Sequence, residues 1–255
     1  MIKKEKKEKV VRAVQPKILY EDTDIVVVNK PAGLLTHSDG KTKVKTLSGW
    51  LVKKFPQAQT VGELLTMSDG EETGRSGIVH RLDKDTSGVI LLAKTQQGFD
   101  CLKEQFQNHQ IKKAYHAFIV GEPRVSRGIM DHPIGKSGTD FRARSASFGA
   151  KGDTREAVTQ YMVKKTVKTK DGSYSFVLAM PKTGRTHQIR AHFKALGHPL
   201  IGDSLYGKAK NSLGFDRTAL HAFSIEFENC AGEKIHVEAP YPTDFQIALD
   251  NLSKV

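Results

Sequence analysis

Cysteine is nearly absent: Cys101 and Cys230 are the two in a chain of 255 residues. That is too few for a disulfide framework, and no Cys-x-x-Cys pair exists to seed a structural zinc site, so a reducing cytoplasm is the expected compartment. Long apolar runs are missing as well. No stretch approaches the ~18 residues that would cross a bilayer as a helix, and no membrane partner is expected. The opening residues Met1-Ile2-Lys3-Lys4-Glu5-Lys6-Lys7-Glu8-Lys9 lack the apolar segment of a secretory signal. Acidic residues are in deficit: 28 Asp and Glu stand against 40 Lys and Arg, a formal charge of +12. A field of that sign raises the encounter rate with a polyanion, which puts nucleic acid first among partners.

Several chemistries lose their support in the same way. Gly135-Lys136-Ser137 has the ending of a phosphate loop, but Met130 stands where the earlier glycine belongs. His187, His192 and His198 lack the spacing of a zinc site, and no metal is expected. Ser87 has no Gly-x-Ser-x-Gly elbow around it. Asp83 and Asp85, two apart on one loop, are poorly placed to flank a single glycosidic bond.

What is present reads as one soluble globular domain over residues 14–255, preceded by a basic Lys/Glu-rich tail over residues 1–13. The β-branched run Ile25-Val26-Val27-Val28 predicts a strand that Pro31 ends. Val44, Leu47, Trp50, Leu51 and Phe55 have helical spacing within residues 41–55, with Pro56 as the stop and Trp50 as a core residue. Residues 62–77 read as a loop. Val89-Ile90-Leu91-Leu92-Ala93 reads as a buried strand, and Phe99, Leu102 and Phe106 mark one face of a helix over residues 96–108. Over residues 114–120, Tyr115, Ala117 and Ile119 alternate with His116, Phe118 and Val120 as in a strand. Turns dominate residues 121–151, where Lys136, Arg142, Arg144 and Lys151 form a basic segment expected to face RNA. Residues 158–167 and 173–180 predict a hairpin about Lys170-Asp171-Gly172. A further helix is expected with Thr186 as its N-cap, Ile189, Phe193 and Leu196 on its apolar face and Gly197 just past its end. Strand and helix signals mix without a βαβα rhythm, so the fold class is α+β. No internal repeat is visible.

The most informative stretch is His80-Arg81-Leu82-Asp83-Lys84-Asp85-Thr86-Ser87-Gly88. It sets a carboxylate between a basic entry and a Thr-Ser-Gly turn, directly before the buried strand, and catalytic groups commonly sit on loops held by such strands. His-Arg-Leu-Asp-x-x-Thr-Ser-Gly resembles the signature of the RluA-type pseudouridine synthases, which isomerise uridine in rRNA and tRNA. Three further strings follow in the family's order: Lys112-Lys113-Ala114-Tyr115; Thr183-Gly184-Arg185-Thr186-His187-Gln188-Ile189-Arg190-Ala191-His192, continued by Gly197-His198-Pro199-Leu200-Ile201-Gly202-Asp203 and Leu205-Tyr206-Gly207; and Leu220-His221-Ala222. Asn29-Lys30-Pro31-Ala32-Gly33 and Ala239-Pro240-Tyr241-Pro242 extend the likeness over nearly the whole chain.

The resemblance implies a curved, largely antiparallel central sheet flanked by helices and loops, the pseudouridine synthase fold, with the cleft across it. The form without the N-terminal S4 module is expected, since the catalytic pattern begins within about twenty residues. It also implies an isomerase needing no cofactor, acting as a monomer on rRNA or tRNA. The reaction calls for a nucleophilic carboxylate, a cation beside it, an aromatic wall for the flipped base and a basic surface for the backbone. Asp83 is the expected nucleophile, Arg185 its bidentate partner, and Tyr115 the ring against uracil. Arg81, His80, Thr86, Arg190 and His187 are expected on the substrate, with Arg190 ranked below Arg185. The rival readings are an RNA-binding protein without catalysis and a nucleoside hydrolase; plain phosphate binding requires none of Asp83, Tyr115 and Arg185, and a hydrolase would release free uracil.

Overall fold

β-Branched and apolar residues gather in short runs bounded by turns, and these runs become the strands of one large sheet. The computed structural model describes residues 15–37, 44–66, 72–74, 76–146, 150–170, 172–207 and 211–253, so the tail over residues 1–13 lies outside the described residues. In chain order the elements are β1 (Lys17–Glu21), β2 (Ile25–Lys30), α1 (Leu47–Lys54), β3 (Leu64–Thr66), β4 (Glu72–Gly74), β5 (Ser87–Ala93), α2 (Gln96–Gln107), β6 (Lys112–Val120) and β7 (Arg127–Met130). There follow β8 (Ile134–Ser137), β9 (Arg144–Ser145), β10 (Ala150–Arg155), β11 (Thr159–Thr169), β12 (Gly172–Pro181), α3 (Gln188–Ala195), β13 (Leu220–Glu228), β14 (Lys234–Glu238) and α4 (Thr243–Ser253).

The main sheet runs β1-β2-β5-β13-β6-β12-β11-β7, with β14 also on β13. Every pairing in it is antiparallel except β5 with β13. This is the α+β architecture with a largely antiparallel sheet that the sequence implied. The parallel contact is brief, His221 against Ser87 and Ala222 against Gly88. Gly88 takes φ +113°, and a Cβ there would come within 2.1 Å of the Ala222 carbonyl oxygen, so the two halves of the sheet meet at a point only glycine allows. Ala222 is in turn level with Tyr115 on β6. Register therefore sets Tyr115 two strands from the turn that carries Asp83.

Burial explains the strand runs. Ile25, Val26, Val27 and Val28 are fully buried, as is β5 nearly throughout, so these strands carry apolar residues on both faces. The predicted hairpin forms, Thr169 pairing with Gly172. Four expectations need correction. The first helix begins at Leu47, not near residue 41, because Thr46 caps it through Gly49 N–H at 3.1 Å, leaving Val44 exposed ahead of it. Residues 62–77 contain the β3–β4 hairpin, and residues 121–151 contain β7 and a small β10-β8-β9 sheet rather than turns alone. Thr186 does not cap α3. His187 occupies the cap position with left-handed φ +56°, and Gln188 ties down the entrance instead, accepting from Arg185 N–H at 2.9 Å and Thr183 Oγ1 at 2.7 Å. At its other end, Gly197 N–H reaches Lys194 O and His198 N–H reaches Phe193 O, a Schellman closure with Gly197 at φ +86°.

Candidate active site

The loop carrying Asp83 is pinned residue by residue. Thr36 Oγ1 donates to Leu82 O at 2.8 Å and accepts from Leu82 N–H at 3.3 Å. Thr86 N–H closes on Asp83 O, and Lys84 O receives both Gly33 N–H and Lys30 Nζ, at 2.9 and 3.1 Å. Arg217 Nη1 reaches Asp85 O at 2.8 Å while its other nitrogens fork onto Asp244. Ser87 Oγ lies 2.9 Å from His221 Nδ1 in the buried interior. Four successive carbonyls of the loop are thus fixed before any ligand arrives, the kind of preorganisation that orients a reacting group.

Lys30 is the unusual member of this frame, a fully buried lysine. Its ammonium spends three donors on Pro31 O, Leu34 O and Lys84 O. Burial pushes it down to about 7, while the charges of Asp83 and Asp85 pull the other way.

Asp83 itself meets a guanidinium, but not the expected one. Arg190 Nη1 donates to Asp83 Oδ2 at 2.9 Å, and its Nε and Nη2 fork onto Asp203 at 2.7 and 2.9 Å. Arg185 turns away, its Nε donating to Glu156 O at 2.9 Å. The physical reason lies in the left-handed His187 between them: the chain reverses there, so residues ahead of α3 line the cavity rim and the first turn of α3 points at Asp83. Asp203 is completely buried and also accepts from the N–H groups of Leu205 and Tyr206. Tyr206 lies under Arg190, with the guanidinium carbon 5.0 Å from the ring centre. Its hydroxyl sits 3.0 Å from His187 Nδ1, and His187 Nε2 lies 3.8 Å from Asp83 Oδ1.

A cavity of about 530 Å³ opens at this point, lined by Asp83, Tyr115, His187, Arg190 and Leu220 inside and by Arg81, Arg185 and Lys113 among the cations. Such a volume suits a small-molecule-sized group. Burial, and secondarily the Asp83 charge, raise the Tyr115 phenol well above its ordinary value, so it meets a ligand as a neutral hydroxyl. Burial lowers Lys113 to about 8. Arg81 is exposed, without an ion pair or hydrogen bond among the described residues. Thr86 is buried in the wall. His80 also lines the cavity, yet its Nε2 is committed to Leu91 N–H at 2.9 Å, and burial lowers its imidazole to about 3. A neutral ring holding the β5 edge is its place in the structure.

Sequence reasoning gave no role to Thr36, Lys30, Asp203, Tyr206 or Arg217. Lys30, Asp203 and Tyr206 lie inside strings that carried the resemblance, which was the available signal. Thr36 and Arg217 left none, because Thr36 bonds the backbone of Leu82 and Arg217 bonds Asp244 and the Asp85 carbonyl, partners that lie far along the chain.

With this geometry in place, the likeness to known proteins becomes specific. Residues 24–195 match the RNA pseudouridylate synthase family, to which the chain belongs. An uncharacterized RNA pseudouridine synthase of Mycobacterium bovis is 39% identical over 91% of this chain and 71% of its own length. A ribosomal large subunit pseudouridine synthase D of Zymomonas mobilis is 34% identical over 90% and 70%. Among solved structures, human RNA pseudouridylate synthase domain containing 1 superposes with a TM-score of 0.69 at 29% identity, covering 89% of this chain and 84% of that one. The protein is an RNA pseudouridine synthase, an isomerase.

Proposed function

We propose that Asp83 is the nucleophile of this enzyme, that Arg190 rather than Arg185 holds it, and that Tyr115 forms the wall against the target uracil. The observation that carries this reading is the Asp83 side chain, 20% exposed at the cavity and bound on one oxygen by Arg190 at 2.9 Å. Isomerisation breaks N1–C1′, turns the base and joins C5 to C1′; C5 gives up a proton and N1 regains one, so no atom is gained or lost. A carboxylate fixed by a guanidinium can attack C1′ or the base, with the aromatic ring retaining the uracil between steps. Arg81, Arg185 and Lys113 supply positive charge at the opening for the phosphates of a flipped nucleotide.

The target belongs to the same proposal: a uridine in rRNA or tRNA, with large-subunit rRNA first because relatives carry that name. We take the enzyme to act as a cytoplasmic monomer. Asp83→Asn is expected to form no pseudouridine while retaining RNA in a filter-binding assay; wild-type turnover in that variant would end the proposal, and free uracil would indicate a hydrolase. Maps of pseudouridine in rRNA and tRNA from cells with and without the gene then name the site.

A further inference from the structure

Arg190 occupies one oxygen of Asp83 and leaves the other facing His187. We propose that His187 is a positioning residue for Asp83, locked as the Nε2–H tautomer by the Tyr206 hydroxyl so that a donor faces Oδ1. This rests on the reading of Asp83 as the nucleophile.

The tautomer follows from counting protons. Arg144 N–H can only donate, and it donates to the Tyr206 oxygen at 2.7 Å. The hydroxyl keeps its single proton for another partner, and His187 Nδ1 lies 3.0 Å away. With that proton directed at Nδ1, the ring nitrogen is the acceptor and the ring proton sits on Nε2, where it faces Asp83 as a donor rather than a lone pair. The opposite tautomer would aim a lone pair at a carboxylate. Desolvation by the surrounding protein lowers His187, which keeps the ring neutral against the pull of Asp83 and Asp203, while Arg190 and Arg144 add to the lowering.

The geometry around the ring supports a placed group rather than a packing residue. His187 stands edge-on to Tyr206, at 5.7 Å and 89°. Its backbone is left-handed at φ +56°, a conformation uncommon for non-glycine residues, among which histidine, asparagine and aspartate adopt it most readily. The 3.8 Å from Nε2 to Oδ1 exceeds a hydrogen bond, and catalytic contacts of this kind commonly shorten once substrate is bound. Two donors on two different oxygens would then fix the carboxylate plane, which one guanidinium nitrogen cannot do alone.

Long-range ¹⁵N–¹H correlation spectra of the wild-type enzyme read the tautomer directly, with His187→Asn assigning the ring; asparagine tolerates the left-handed backbone. Should that variant not fold, the shift changes in Tyr206→Phe assign it instead. A protonated Nε2 with an unprotonated Nδ1 is expected. Tyr206→Phe keeps the ring under Arg190 and removes the hydroxyl, and with it both the lock on His187 and the acceptor of Arg144 N–H; it is expected to lower kcat about tenfold with KM for RNA unchanged and to admit the Nδ1–H form. A wild-type ring protonated on Nδ1, or on both nitrogens at neutral pH, overturns the proposal, as does a Tyr206→Phe enzyme with wild-type kcat. The ring spectrum needs no turnover, so it stands apart from the fate of Asp83→Asn.

Discussion

Arg190 gives Asp203 two parallel N–H bonds, from Nε at 2.7 Å and Nη2 at 2.9 Å, and keeps Nη1 for Asp83. One planar group thereby transmits the position of a buried anchor to a carboxylate at the cavity. A lysine cannot reproduce this, since a point-like ammonium lacks the fork that serves two carboxylates at once. Arg190→Lys is expected to lower kcat by about 10²-fold, or ~2.7 kcal/mol of barrier, in release of tritium from [5-³H]uridine RNA. Arg185→Ala is expected to act mainly on KM, since its guanidinium serves Glu156 O at the rim. The reverse ranking of the two variants would refute the assignment.

The same anchor bears on stability. Asp203 is fully buried, and removing it leaves Arg190 with a single carboxylate and the N–H groups of Leu205 and Tyr206 without their acceptor. Breaking a buried ion pair from one side costs about 3–5 kcal/mol. Asp203→Ala should lose stability on that scale in urea unfolding, and Asp203→Asn less, because its amide oxygen still accepts from the two backbone groups. Equal unfolding midpoints for Asp203→Ala and the wild type would contradict the anchor role.

Lys30 gives a pH signature. Folded, it titrates at about 7 against an ordinary 10.5. Between those values the unfolded chain holds a proton that the folded chain has released, so this group makes stability rise with pH through that window. Below about 7 both states are protonated and its slope vanishes. The rise reaches at most about 1.4 kcal/mol per pH unit. Lys30→Met removes this contribution, along with the three bonds that hold Pro31, Leu34 and Lys84. Unfolding at pH 6.5, 8 and 9.5 should show a shallower dependence in the variant than in the wild type; parallel curves would mean that Lys30 stays charged throughout.

Much of the fold was legible because its strands carry their own signal. The run Ile25–Val28, the alternation of Tyr115, Ala117 and Ile119 with their neighbours, and the hairpin closed by Thr169 and Gly172 all follow from local residue choice. β10 did not announce itself: Ala150-Lys151-Gly152-Asp153-Thr154-Arg155 has no apolar alternation, and only its partner β8 makes it a strand. The parallel meeting of β5 and β13 joins residues more than a hundred apart and is equally silent. In the site, the strings around Asp83 and Tyr115 drew notice to residues that share one cavity. The choice between Arg185 and Arg190 was misread, because it depends on the left-handed turn at His187, a backbone state its residue type does not advertise.

His80 separates a structural task from a substrate contact. Its Nε2 accepts Leu91 N–H at 2.9 Å, and its ring lies 4.6 Å from that of Phe106. Replacing it with alanine removes the acceptor of a buried backbone donor, a loss of about 1–3 kcal/mol, together with an aromatic contact. Asparagine or glutamine can present a carbonyl oxygen to the same N–H, so one of them should recover part of the stability. If the ring instead contacted RNA, alanine and amide variants would weaken RNA binding alike while unfolding near the wild-type midpoint. Paired urea unfolding and filter binding of His80→Ala, His80→Asn and His80→Gln distinguish the two, and the expected pattern is reduced stability in alanine, partial rescue by an amide, and RNA affinity within about threefold of wild type in all three, equivalent to less than ~0.7 kcal/mol.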